Sequence, residues 1–166
     1  MRRRARPPVA VAAGEKVLAW AESSSGAVAA GTRDALYIAT QDTGLEMRLP
    51  WEQVEAADWD RDSSRLRVSE VGIWGEERVE HSLIIEEPGQ FLELVRERVT
   101  ASVVLQRHVP LNGRRGLRVI ARRAPRGDRP LNWFYEYDEG IDPADPSVRA
   151  AAEAALAAAR DEVGPA

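Results

Sequence analysis

The chain has 166 residues, which suits one domain or one domain with an added subdomain. It contains no cysteine, and this excludes a disulfide framework, a thiolate metal site and a cysteine nucleophile. No apolar run approaches the ~20 residues that a membrane-spanning helix needs. We therefore expect a cytoplasmic protein without a membrane span.

Arginine supplies almost all of the positive charge: there are 22 arginines and one lysine, Lys16, in a chain of net charge −4. Eight of the arginines and one acid, Asp128, lie between residues 107 and 129. Residues 50–100 hold thirteen acids and six arginines. The sequence therefore predicts a basic segment beside an acidic body. The negative net charge gives no general attraction to polyanions.

The first part of the chain has the pattern of an antiparallel β protein. Residues 1–13 are predicted to be a disordered basic N-terminal tail, because their apolar stretch is too short for a signal peptide. Short segments of alternating polarity then follow one another, separated by turns too short for crossover helices. The predicted strands cover residues 15–22, 27–30, 34–40, 45–49, 50–60, 65–70 and 78–86.

A single amphipathic helix is predicted after these strands, from Pro88 to Gln106. Phe91, Val95 and Val99 recur at helical spacing and give it one apolar stripe. Seven strands and one helix predict a small, strongly bent antiparallel barrel or sandwich, closed at one end by the helix. This unit is predicted to cover residues 14–106.

The remaining residues, 107–166, are predicted to form a β-hairpin and a C-terminal Ala-rich helix, an extension packed on the first unit. The hairpin strands cover residues 116–123 and 131–137. Asp145 is a suitable N-cap, Pro146 suits the first helical position, and Gly164 ends the helix. The complete chain is therefore predicted to belong to the α+β class.

Four short motifs suggest a known family. They resemble, in order, an opening strand, a threonine–basic–x–x–leucine strand, a proline–aromatic step into the next strand and the entry to a closing helix. They are found at residues 14–20, 32–38, 49–54 and 88–92. Together with the element order, they resemble the bacterial pleckstrin-homology-like domains. The whole chain also resembles a set of actinobacterial hypothetical proteins. The resemblance implies a binding scaffold but no particular ligand, and no basic loop supports a phosphoinositide role.

Two histidines, His81 and His108, are the residues most open to a catalytic or metal-binding interpretation. Neither has the further partners that a zinc site or a catalytic triad requires. His81 lies on the apolar face of its strand, with Leu83 and Ile85. We therefore predict no catalytic residue, no bound metal and no cofactor. A small-molecule enzyme with an unrecognised site is retained as a third interpretation.

The hairpin places aromatic residues beside arginines, an arrangement that single-strand nucleic-acid binders use. The favoured interpretation is structural: the aromatic side chains face the core, and two arginines pair with acids across the hairpin. The aromatic residues are Trp133, Tyr135 and Tyr137. The expected pairs join Arg118 and Arg122 to Glu136 and Asp138.

The leading interpretation is a non-enzymatic interaction or adaptor module with a protein partner. The alternative is an anion or nucleic-acid binder that uses the basic segment at 107–129. Four arginines in predicted loops have few acids near them and are the candidate contacts for a partner or an anion. They are Arg114, Arg115, Arg126 and Arg129.

Overall fold

The computed structural model of the chain describes residues 9–40, 46–72, 77–125 and 130–164. The chain divides into two units, Met1–Ser102 and Val103–Ala166. The strands of the first unit are β1 (Ala19–Glu22), β2 (Val28–Gly31), β3 (Ala35–Ala39), β4 (Glu46–Pro50), β5 (Val54–Asp60), β6 (Arg65–Glu70) and β7 (Glu80–Ile84), and helix α1 (Gln90–Ser102) follows them. The second unit contains β8 (Val103–Asn112), β9 (Arg115–Arg122), β10 (Asn132–Tyr137) and helix α2 (Pro146–Val163).

The first unit contains two antiparallel sheets, with strand orders β1-β2-β3-β4 and β5-β6-β7. A short 3₁₀ turn, Trp51–Gln53, connects them. Trp51 is completely buried, and its indole N–H donates a 2.9 Å hydrogen bond to the carbonyl oxygen of Thr32. This buried donor is therefore satisfied, and it ties the connection to the first sheet.

One apolar core joins both sheets of this unit to α1. Phe91 and Val95 of the helix are buried against inward-facing residues of the strands. The two helical residues are one turn apart, so both lie on the predicted apolar stripe. The strand residues of the core include Ala29, Leu36, Ile38, Leu49, Val54, Leu66 and Val68.

The outer face of the first sheet is also apolar, because β2 is buried at every position. Val9 is buried there in a cluster with Val28 and Tyr37, and Val11 packs against the same cluster. The structure here differs from the prediction, in which the disordered tail extends through residue 13. Alternating strands expose one face to water, whereas a sheet that is apolar on both faces needs a second cover.

In the second unit the three strands form an antiparallel sheet of order β10-β9-β8, and α2 packs against one face of it. Leu117 and Val119 of β9 are buried against Ala152 and Ala159 of the helix. The Asp145 side chain caps α2 by accepting a hydrogen bond from the Ser147 amide, as predicted.

The predicted architecture is confirmed in its class and corrected in two details. The chain is α+β with antiparallel sheets; of the two predicted forms, a barrel or a sandwich, the described strands of the first unit form two separate sheets and no closed barrel. Helix α1 ends at Ser102 instead of Gln106. The hairpin has an unpredicted third strand, β8, because the chain after Ser102 becomes extended and pairs with β9. Its first residues, Val103 and Val104, are β-branched and favour a strand.

Several predicted features lie outside the described residues. These are the arginines of the tail, the turn at 41–44, part of the loop at 72–77, and Arg126 and Arg129. Within the described ranges, no helix combines the length and the apolar character needed to cross a membrane.

Candidate functional site

An open groove of about 490 Å³ lies beside β1 in the first unit. One wall is β1 itself together with the turn that follows it, from Trp20 to Ser24. The opposite wall is formed by Glu86 and Glu87, which connect β7 to α1. The amide of Ser24 donates a 2.9 Å hydrogen bond to the carbonyl oxygen of Ile84, which holds the two walls together at one end.

Among the strands that the structure describes, β1 is the edge strand of its sheet and is paired with β2 on one side only. The amide of Ser23 donates to the carbonyl oxygen of Ala27, next to β2. Hydrogen-bonding positions alternate along an antiparallel strand, so Ala21 also faces β2. The main-chain groups of Trp20 and Glu22 must therefore point away from β2, on the unpaired side of the strand.

The groove is acidic and is bordered by one aromatic ring. The side chains of Glu22, Glu86 and Glu87 are exposed. In the described part of the chain, none of the three forms an ion pair. Trp20 is half-buried, because it packs on one side against the outer-face cluster that contains Val9. This arrangement can attract a cationic segment and offer a ring face to a guanidinium or ammonium group.

A second polar feature, the Glu15 network, fixes the segment that covers the outer face of the first sheet. The Glu15 carboxylate accepts hydrogen bonds from the Thr32 hydroxyl at 2.7 Å, the Tyr37 hydroxyl at 2.6 Å and the Arg48 guanidinium at 3.1 Å. The Tyr37 hydroxyl also accepts a bond from the Ala12 amide at 3.0 Å. The carboxylate side chain is only 4% exposed.

The Glu15 network shifts the pKa values of its members apart. Burial by itself raises the pKa of Glu15, but the hydrogen bonds from Tyr37, Thr32 and Arg48 outweigh it and lower that pKa. Burial and the bond to Glu15 raise the pKa of Tyr37. The carboxylate is thus held ionised and the phenol protonated. The bonds of Tyr37 and Arg48 join the covering segment to β3 and β4 and hold it in place.

The two histidines lie on different sheets, and each is paired with one carboxylate. His81 Nε2 lies 2.7 Å from Glu70 Oε2 on the neighbouring strand. His108 Nε2 lies 3.1 Å from Asp138 Oδ2. The Gly116 amide, and after it His108, lower the pKa of Asp138. Among the described residues, no three metal-ligating side chains come together.

The predicted cross-strand pairing of the hairpin is confirmed for one pair and wrong for the other. Arg118 lies opposite Glu136, and their charged groups approach to 3.7 Å. Arg122 lies opposite Asn132 at the other end of the hairpin from Asp138, and its side chain is buried. The antiparallel register explains both results. Arg122 comes later in β9 than Arg118, so the residue opposite it comes earlier in β10 than Glu136, and Asp138 lies in the other direction.

Of the four candidate contact arginines, two lie in the part of the chain that the structure describes. Arg114 and Arg115 are both exposed where β8 turns into β9, and Arg115 donates a 3.4 Å bond to the carbonyl oxygen of Glu139. Elsewhere in the basic segment, Arg107 pairs with Glu162 of α2. In addition, Arg160 of α2 lies 5.9 Å from the centre of the Trp133 ring. The face of the Trp133 ring is thus covered by an arginine of the same unit.

Sequence patterns did not reveal the groove. The sequence predicts a turn at residues 23–26 and a strand that ends at Glu86, but nothing in either segment indicates that they meet. Their approach depends on how two sheets fold around one core. Scans against known protein families and against curated proteins give no match to this sequence.

Proposed function

We propose that this protein is a non-enzymatic interaction module on a pleckstrin-homology-like scaffold, and that it binds a basic segment of a protein partner in the groove beside β1. The scaffold proposal is supported by seven strands, in sheets of four and three, followed by one helix whose Phe91 enters the core. The observation that carries the binding proposal is the open groove with Glu22, Glu86 and Glu87 on its two walls.

The charges of the groove favour a basic occupant over the other partners considered for this chain. Nucleic acid, phosphate groups and acidic peptides would be repelled by three carboxylates. An exposed ion pair between a lysine or arginine side chain and one carboxylate contributes about 0.2–1 kcal/mol. Three such pairs together contribute about 0.6–3 kcal/mol, which corresponds to a gain in affinity of about threefold to a hundredfold.

The proposal is tested by titrating the full chain with a fluorescent arginine-rich peptide. We expect binding that weakens as salt is added, because exposed charges are screened. The variant Glu22→Gln/Glu86→Gln/Glu87→Gln is expected to bind about tenfold more weakly. The matched control is Glu46→Gln/Glu93→Gln/Glu97→Gln, which removes the same charge from exposed positions outside the groove lining.

Equal losses of affinity in the two triple variants would mean that binding of the peptide depends only on the net charge of the chain. The groove would then be rejected as the site. No binding to the wild-type chain would reject the basic occupant. Far-ultraviolet circular dichroism of each variant checks that the fold is unchanged.

A further inference from the structure

The unpaired side of β1 and the groove beside it define how a partner can bind. We infer that the basic segment binds as an added antiparallel strand on β1, with its basic side chains at alternate positions. This inference rests on the proposed function and specifies its geometry. Exposed strand edges bind extended peptides through main-chain hydrogen bonds, and pockets for alternate side chains provide selectivity.

The register of β1 determines which peptide positions carry the charge. The main-chain groups of Glu22 face the unpaired side, so the peptide residue directly opposite Glu22 forms a hydrogen-bonded pair with it. Side chains of directly opposed residues lie on the same face of a sheet, about 4.5–5.5 Å apart at Cβ. An arginine at that position therefore meets the Glu22 carboxylate.

Trp20 and Glu22 are two residues apart and share the outer face of the sheet. A second arginine, two positions along the peptide, then lies beside the Trp20 ring, where a guanidinium can stack on the indole. The residues between the arginines face the opposite side and need carry no charge. The structure therefore favours alternating arginines over a peptide whose arginines are contiguous.

The peptide has two sets of main-chain amides, those of the arginine residues and those of the residues between them, and blocking each set separately tests the inference. In this register the amides of the arginine residues point toward β1, and those of the intervening residues point away from it. We compare an alternating Arg-Thr octapeptide methylated on the arginine amides with the same peptide methylated on the threonine amides. Both carry the same charge and the same number of methyl groups. Methylation of the arginine amides is expected to weaken binding by roughly tenfold or more, since it removes main-chain hydrogen bonds.

Hydrogen exchange gives a second, direct measurement on the unmodified octapeptide complex. The amides of Trp20 and Glu22 are expected to exchange more slowly once the peptide is bound. The amide of Ala21, which already faces β2, serves as the internal control. Unchanged exchange at Trp20 and Glu22 in the saturated complex would overturn strand addition.

The outcomes separate this inference from the proposed function. If both methylated peptides bind equally and the groove triple variant still weakens binding, strand addition is wrong, and the acidic groove stands as the binding site of the basic segment. If no peptide binds the wild-type chain, both proposals are wrong. A greater loss with threonine methylation would reject the register in which arginine lies opposite Glu22.

Discussion

The hydroxyl of Tyr37 donates a 2.6 Å hydrogen bond to the carboxylate of Glu15, a residue that precedes the first strand of the sheet carrying Tyr37. The same hydroxyl accepts a bond from the Ala12 amide. A single side chain of β3 thus fixes two points of the segment that covers the outer face. The apolar contacts of Val9 and Val11 lie on the N-terminal side of these bonds.

Removal of this hydroxyl is expected to destabilise the first unit. Tyr37→Phe leaves the buried ring in place but deprives an ionised carboxylate of one donor, a loss of about 1.5–3 kcal/mol in the free energy of unfolding. Urea denaturation measures the change. The control is Tyr135→Phe, at a ring that is 37% exposed, where we expect a change within about 0.5 kcal/mol. Equal effects of the two substitutions would contradict the importance of the Glu15–Tyr37 bond.

The contribution of Glu15 is expected to depend on pH. Its pKa is lower in the folded chain, because the bonds from Tyr37, Thr32 and Arg48 outweigh its burial. A carboxyl group of this kind stabilises the fold above its unfolded pKa, and the contribution is lost as the pH falls through the folded pKa. The difference in unfolding free energy between the wild type and Glu15→Gln should therefore be constant near neutrality and shrink below about pH 4. Denaturant titrations at several pH values measure it, and a difference that grows toward acid would contradict the assignment.

Phe91 is expected to be essential for the core beneath α1. Its side chain is 1% exposed and packs within the cluster that both sheets share. Phe91→Ala is expected to lower the free energy of unfolding by about 3–5 kcal/mol, because it creates a cavity in addition to the lost apolar burial. Val79→Ala, at a side chain that is 53% exposed, provides the comparison and should have little effect. Denaturant midpoints measure both, and a loss below about 1 kcal/mol for Phe91→Ala would show that the helix does not close the core.

The basic segment is expected to bind nucleic acid weakly. If Arg114, Arg115, Arg126 and Arg129 all contacted phosphates, the affinity would fall with salt at a log–log slope of about −3. We expect no such binding at physiological salt, because the net charge is −4 and acids within the chain pair with Arg107 and Arg118. Short DNA and RNA are titrated against the wild type and the fourfold Arg→Ala variant. Micromolar binding that this variant abolishes would establish the alternative function.

Local patterns in the sequence were sufficient for most elements of the fold. Alternation predicted the strands, the stripe through Phe91 and Val95 predicted α1, and the Asp145–Pro146 pair predicted the start of α2. These features depend on neighbouring residues, whose periodicity determines which face is apolar. The end of α1 was predicted too late, because Val103 and Val104 continue the apolar character of the helix although they belong to β8.

The tertiary structure alone decided which distant residues meet. Glu15 lies beside Tyr37 and Arg48, and Glu22 borders the same groove as Glu86. Hydrophobic periodicity places a side chain on a face of its own element but carries no information about which other element packs there. The groove and the Glu15 network therefore could not be predicted from spacing, because each depends on how whole sheets pack around a common core.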